Sequence, residues 1–245
     1  MRLNVQSLSL WLGALFGAVM LVAFVAFPGF FPPMSPEDSA PEVAAFYVGN
    51  TTMIRASMVV FNLCAVMLVP FFMVIVYQMK RMATPTQVLA YGYLSAVASG
   101  ITLFAIADLF WLIAAFRPER DPEQIQLLND LAWITFIAPV GMIVAQNLCL
   151  AAAVYLDARP EPIFPRWVGH LSIAVGLAMV PSAAASAVRT GPLAWDGAIS
   201  FWLRNGAYAA FMVVMFFVLR RAIAQEAAEE GAGAPEAAVL ADVGP

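Results

Sequence analysis

The sequence predicts an all-α, polytopic membrane bundle of about six transmembrane helices with both termini in the cytoplasm. Three observations carry that prediction. Hydrophobic residues make up 62% of the 245-residue chain and charged residues 11%, where a soluble domain has roughly a quarter charged. Mean hydropathy is +0.83, so lipid is the solvent for most of the chain. The apolar residues also fall into six runs, each long enough for a hydrocarbon core of roughly 30 Å with some tilt.

The first span covers residues 8–27. Its apolar core of about twenty residues exceeds a signal-peptide h-region, and no A-x-A site follows, which marks an uncleaved helix. The second covers 53–79, closed by Lys80-Arg81, and the third 88–116. The fourth covers 131–156, the fifth 167–188 and the sixth 199–219, closed by Arg220-Arg221. With the N-terminus inside, the inner side holds Arg2, Lys80, Arg81, Arg159, Arg166, Arg220 and Arg221. The outer side holds Arg117, Arg120 and Arg189. Seven against three predicts N-in, C-in, with Arg55 and Arg204 left out as intramembrane.

Short helices are predicted in the outer loops. Ser39-Ala40-Pro41-Glu42 reads as a capping box opening a helix that ends near Asn50. Asp121-Pro122-Glu123-Gln124 places an acidic cap before proline at the first helical position. That helix is expected to lie on the membrane surface before running into the fourth span. Trp133, Trp167, Trp195 and Trp202 fall near expected interfaces, where amphipathic rings belong. Residues 1–223 form the transmembrane domain. Residues 224–245, rich in Ala, Glu, Gly and Pro, are expected to be a disordered acidic cytoplasmic tail.

Several function classes are excluded or disfavoured. The formal charge of -4 offers no basic footprint for nucleic acid. The single histidine, His170, rules out bis-histidine haem and multi-histidine metal sites, and no cofactor or metal is expected. Cys64 and Cys149 fall inside spans at different depths and read as small apolar fillers. No Walker loop, G-x-S-x-G, H-E-x-x-H or C-x-x-C occurs, which disfavours an enzyme of a motif-bearing class.

Function must then sit on polar residues inside the membrane. A charge there costs about 2.5 to 3.5 kcal/mol on insertion scales and needs a partner or a role. Asp108 lies about 12 Å below the outer end of the third span and Arg204 about 8 Å into the sixth, at 1.5 Å per residue. The two are expected to meet or to share a hydrated pocket. Arg55 and Asn62, seven residues apart, share a face of the second span. With Asn205 beside Arg204, these residues are expected to line an outward-opening cavity, although ordinary interhelical hydrogen bonds would place them equally well. Gln146 and Asn147 lie near mid-membrane on the fourth span. Pro139 and Pro181 are expected to kink the fourth and fifth. Gly92, Ser95 and Ser99 form a small-residue stripe for close approach of one neighbour, with Asp108 facing another.

Tyr77, Pro85, Gly92, Leu94 and Ser95 match Tyr155, Pro162, Gly169, Leu171 and Ser172 at an offset of 77 or 78. The match hints at a tandem two-helix unit. Phe164-Pro165-Arg166-Trp167-Val168-Gly169 and Thr190-Gly191-Pro192-Leu193-Ala194-Trp195-Asp196-Gly197 resemble segments of an uncharacterised family of six-span bacterial membrane proteins. The resemblance covers mainly the C-terminal half. It implies a bacterial inner-membrane setting and brings no activity and no functional residue.

Three functions fit. The first is binding or transport of a small hydrophobic or amphipathic molecule through an outer-half cavity with candidate ligands Asp108, Arg204, Asn205, Arg55, Asn62, Gln146 and Asn147. The second is an accessory or assembly subunit of a larger membrane complex. The third is an intramembrane enzyme using Asp108 on a lipid or isoprenoid. The partners these readings call for are membrane lipids, a small hydrophobic ligand or a membrane-protein partner.

Overall fold

The structure is a computed structural model that describes residues 4–242, with side chains described through residue 231. Six helical passes are long and apolar enough to cross a membrane. The first is α1, Val5–Ala26. The second joins α2, Ala40–Val66, to α3, Val69–Arg81. The third is α4, Val88–Phe116. The fourth joins α5, Pro122–Ile137, to α6, Gly141–Leu156. The fifth is α7, Arg166–Met179, tightening into a 3-10 stretch over Val180–Ser186. The sixth opens with a π-helical turn, Ala198–Leu203, and continues as α8, Arg204–Asp242.

Gln6 near the start of α1 donates to Glu226 in the second half of α8 at 2.9 Å. Both termini therefore leave one end of the bundle, termed here the terminal end, opposite a distal end.

The interruptions follow from backbone chemistry. Proline has no N–H and clashes with the preceding turn. Pro70 sits in the first turn of α3, Pro139 between α5 and α6, and Pro181 at the start of the 3-10 stretch. The kinks expected at Pro139 and Pro181 are present as breaks.

The distal end differs from expectation. The Ser39 capping box forms, with the Ser39 amide donating to Glu42 at 2.8 Å. The helix it opens does not stop at Asn50 but runs unbroken into the second span, a pass of 42 residues. The reason is local: Asn50 Nδ2 donates to Phe46 O at 2.9 Å and Thr51 Oγ1 to Tyr47 O at 2.6 Å. The polar Asn-Thr-Thr stretch thus satisfies itself on its own helix. Asp121 caps α5 as expected, accepting from the Glu123 amide at 2.9 Å, and α5 runs straight into the fourth pass of 35 residues. At 1.5 Å per residue these passes reach about 63 and 52 Å, well beyond a core of roughly 30 Å. Their starts pack together as a distal cap, with Tyr47 Oη donating to Asn129 at 3.0 Å and Trp195 Nε1 to Met34 O at 2.8 Å. Trp167 and Trp202 are exposed as interfacial rings should be. Trp133 and Trp195 are instead buried, stacked 6.5 Å apart in the cap.

The core has two storeys. A terminal one gathers α3, α6, α7 and α8 around Phe71, Tyr93, Leu150 and Phe211. A distal one, dense in aromatics, gathers α2, α5 and the loop after α1 around Phe30, Trp111, Trp133 and Phe201. Every interruption falls between them. Phe61, Ile137, Ala185 and Phe201 lie in the distal storey, and Leu68, Val140, Met179 and Phe211 in the terminal one.

Glycines set close approaches between helices. A Cβ at Gly13 would sit 2.6 Å from Phe71 Cβ, so α1 meets α3 nearly backbone to side-chain root. A Cβ at Gly92 would press on Cys149 Sγ at 3.0 Å and one at Gly100 on Met142 Cγ at 3.2 Å, so α4 meets α6 along these glycines, whereas Ser95 and Ser99, expected to share the stripe, are exposed. The repeated tyrosines take different roles: Tyr155 packs against Gly169, whereas Tyr77 donates to Glu226.

The tail expectation is corrected where it begins. The chain stays helical past residue 224, and Glu226 is buried against Gln6, Tyr77 and Gln78. The acidic residues of this segment have partners across the terminal end, which its composition does not reveal. Residues 243–245, and the side chains beyond 231, lie outside the described ones.

Candidate functional site

The seam between the two storeys holds most of the candidate residues. Asn62 projects from α2 toward α4, where its Nδ2 reaches Ala105 O at 3.4 Å and Asp108 Oδ2 at 3.5 Å. Arg55, on the same face of α2 as expected, donates to Ala115 O at 3.0 Å and Phe116 O at 2.9 Å. These are the carbonyls that an α-helix end leaves without partners. Arg55 therefore closes the distal end of α4.

Arg204 serves a second orphaned carbonyl. In an unbroken helix the amide of Val140 would bond Phe136 O. The Pro139 break turns that amide to Ala138 O at 2.9 Å, and Arg204 Nη2 donates to the freed Phe136 O at 2.8 Å. Its guanidinium also lies 5.1 Å over the Phe136 ring, and its Nη1 donates to Asn205 Oδ1 at 2.9 Å. A neighbouring helix thus supplies a hydrogen bond that the break at Pro139 removes.

The expected meeting of Asp108 with Arg204 does not occur. Among the described residues the ion pairs are Arg81 with Glu226 and Glu229, and Arg159 with Glu229, all at the terminal end. Depth along each helix places Asp108 and Arg204 at similar levels, but rotation about the axes points them at different neighbours. Phe104 and Trp111 flank Asp108 on its own helix face, and both pack on Phe136, 5.5 and 5.6 Å between centroids. The path from the carboxylate to the guanidinium therefore runs through aromatic rings.

One turn toward the terminal end, Gln146 Nε2 donates to Tyr93 Oη at 3.1 Å and Tyr208 Oη at 3.4 Å, linking α6 to α4 and α8. Asn147 Nδ2 bonds back to Ile143 O on its own helix at 2.9 Å. The seam also concentrates buried polar atoms with no protein partner: Asp108 Oδ1, Asn147 Oδ1, Arg204 Nε and Asn205 Nδ2, with the Trp111 and Trp133 indole nitrogens in the distal storey. Buried polar groups in folded proteins are otherwise nearly all satisfied, so this is the chemically unsettled part of the bundle.

None of Arg55, Asn62, Asp108, Arg204 and Asn205, expected to line an outward-opening cavity, lines either of two hollows of the fold. One hollow lies at the distal end against Asp130, Arg189 and Trp195. The other lies at the terminal end between α1 and α8.

Three features went unread in the sequence. Tyr93 lies in an apolar run and reads as core. Gln6 and Gln78, near the ends of their helices, read as interfacial. Together with Glu226 they form the terminal-end polar cluster, in which Gln78 donates to Gln6 at 2.7 Å and to Glu226 at 3.0 Å. No family model, curated protein or solved structure matches the chain.

Proposed function

We propose that this chain binds a small hydrophobic or amphipathic molecule at the seam between its two storeys and carries it across the membrane, with Asp108 and Asn62 as the polar contact. The observation that carries this reading is Asp108 itself. It is fully buried, one of its oxygens is held by an amide at a long 3.5 Å, and the other has no partner. A carboxyl placed so deep is expensive, and its default reading is functional. The seam adds the second ingredient, since interrupted helices at mid-membrane are where transporter folds place their sites. Asn147 Oδ1 and Asn205 Nδ2 share with Asp108 Oδ1 the lack of a protein partner.

The basic residues support a terminal end in the cytoplasm, seven against three, and the setting proposed is the inner membrane of a bacterium. A second reading, an accessory subunit of a membrane complex, draws on Arg55 and Arg204, both of which serve to close helix ends.

Native mass spectrometry on the chain extracted in a bilayer-preserving particle separates the two. A bound metabolite or lipid retained by the native chain and lost in Asp108→Asn supports the proposal. A stoichiometric protein partner, with no small molecule sensitive to Asp108→Asn, overturns it in favour of the subunit.

A further inference from the structure

We propose that the groove between α1 and α8 at the terminal end is a binding site for an anionic phospholipid, its phosphate held by Arg220, Asn4 and Ser7 and its acyl chain laid along Leu10, Trp11 and Ile223. The inference is independent of the reading of Asp108. The groove encloses about 360 Å³ and is lined by these six residues among others.

Its polar lining is made of donors. Asn4 Oδ1 is spent on the Gln6 and Ser7 amides at 3.0 and 3.2 Å, which leaves the Asn4 Nδ2 donor turned away from the helix. The Ser7 hydroxyl has no hydrogen-bond partner among the described residues. Arg220 stands 5.7 Å over the Trp11 ring and makes no ion pair among them. Two carboxylates of this part of α8 are taken, Glu226 by Gln6, Tyr77 and Gln78, and Glu229 by Arg81 and Arg159, and Glu230 is not among the groove's lining residues. No carboxylate lines the groove among the described residues. The site therefore presents one cation and two neutral donors to whatever enters it, which suits a phosphate monoanion.

Its position selects a lipid. The sixth apolar run ends at Leu219, so Arg220 stands where the hydrocarbon gives way to headgroups. Below it the wall is apolar, and Trp11 is 57% exposed on the lipid-facing side. Basic clefts between transmembrane helices at this level are a recognised mode of anionic-headgroup binding.

The test uses the full chain purified in detergent and offered equimolar phosphatidylglycerol and phosphatidylcholine with identical acyl chains, read by native mass spectrometry. Phosphatidylglycerol is expected to be retained about fivefold over phosphatidylcholine, the effect of one well-placed arginine. Arg220→Gln and Ser7→Asp are each expected to abolish that preference. Arg117→Gln, which removes the same charge at the distal end, is expected to leave it intact. Equal retention of the two lipids by the native chain overturns the proposal. So does a preference that survives Arg220→Gln, or one lost equally in Arg117→Gln. Displacement of the lipid by inorganic phosphate also overturns it, by making the occupant a free anion.

Discussion

Replacing Arg204 with methionine tests whether this arginine stands in for an amide that the break at Pro139 turns away. The side chain spends its charge on Phe136 O, which the Pro139 break leaves free. A hydrogen bond to a charged group contributes about 1.5–3 kcal/mol, and the carbonyl left behind would be buried without a partner. The guanidinium over the Phe136 ring adds about 1 kcal/mol. Against these stands the relief of a buried charge whose Nε has no partner. The net loss expected for Arg204→Met is about 2 kcal/mol, roughly thirtyfold in the unfolding equilibrium. Pro139→Ala restores an amide at 139 and lets the amide of Val140 return to Phe136 O, so Arg204 loses its task. In that background Arg204→Met should cost less than about 1 kcal/mol. The coupling in the double-mutant cycle should then be about 1–2 kcal/mol. Reversible unfolding in mixed micelles, titrated with dodecyl sulfate and followed by near-ultraviolet circular dichroism, measures all four corners. Equal costs for Arg204→Met in the two backgrounds, within about 0.5 kcal/mol, would refute the assignment of Arg204 to the break.

Further outcomes are open to direct measurement. Gly13→Val forces a side chain into Phe71 Cβ at 2.6 Å and should destabilise by about 1–3 kcal/mol in the same micelle titration. Glu226→Ala strips Gln6, Tyr77 and Gln78 of their shared acceptor, and amide exchange over residues 222–231 should quicken while that of α6 stays unchanged. Ser39→Ala removes half of a capping box and should cost about 1 kcal/mol, confined to the first turns of α2 in hydrogen exchange. Asp196, in the loop before the sixth pass, is held above the usual carboxylate range by burial and by the nearby Glu37 and Asp38. An acid raised in the folded state binds its proton more tightly folded than unfolded. Its ionisation therefore opposes folding at neutral pH, and this penalty vanishes below about pH 4, where both states are protonated. Asp196→Asn should accordingly stabilise at pH 7 and have no effect at pH 3.5.

The six passes were legible because hydropathy in this chain is blocked rather than scattered, and the breaks at Pro139 and Pro181 because proline's chemistry is the same in every context. The face shared by Arg55 and Asn62 was legible from helical geometry, since both reach α4. The pairing of Asp108 with Arg204 was not, because residue counting fixes height along a helix and leaves its rotation free. The start of the second pass was misread at Asn50-Thr51-Thr52, whose polarity resembles a loop until both Asn50 and Thr51 are seen to bond to their own helix. The segment after residue 224 was misread for the opposite reason. Its composition is that of a solvated tail, and only the fold brings Gln6, Tyr77, Gln78 and Arg81 to Glu226 from far away in sequence.

The seam between the storeys has a mechanical corollary. A bundle of unbroken helices, drawn out of a bilayer by a tip holding its C-terminus, yields in steps of whole hairpins. Here the sixth pass is anchored by different side chains before and after Arg204, and the second and fourth passes are each parted near a proline between the storeys. Force should run down the chain only as far as each break before the next half-helix begins to carry it. The extraction trace should then divide near residues 139 and 70, so that a stylus pulling on one end would read out the same two-layered plan that the side chains draw.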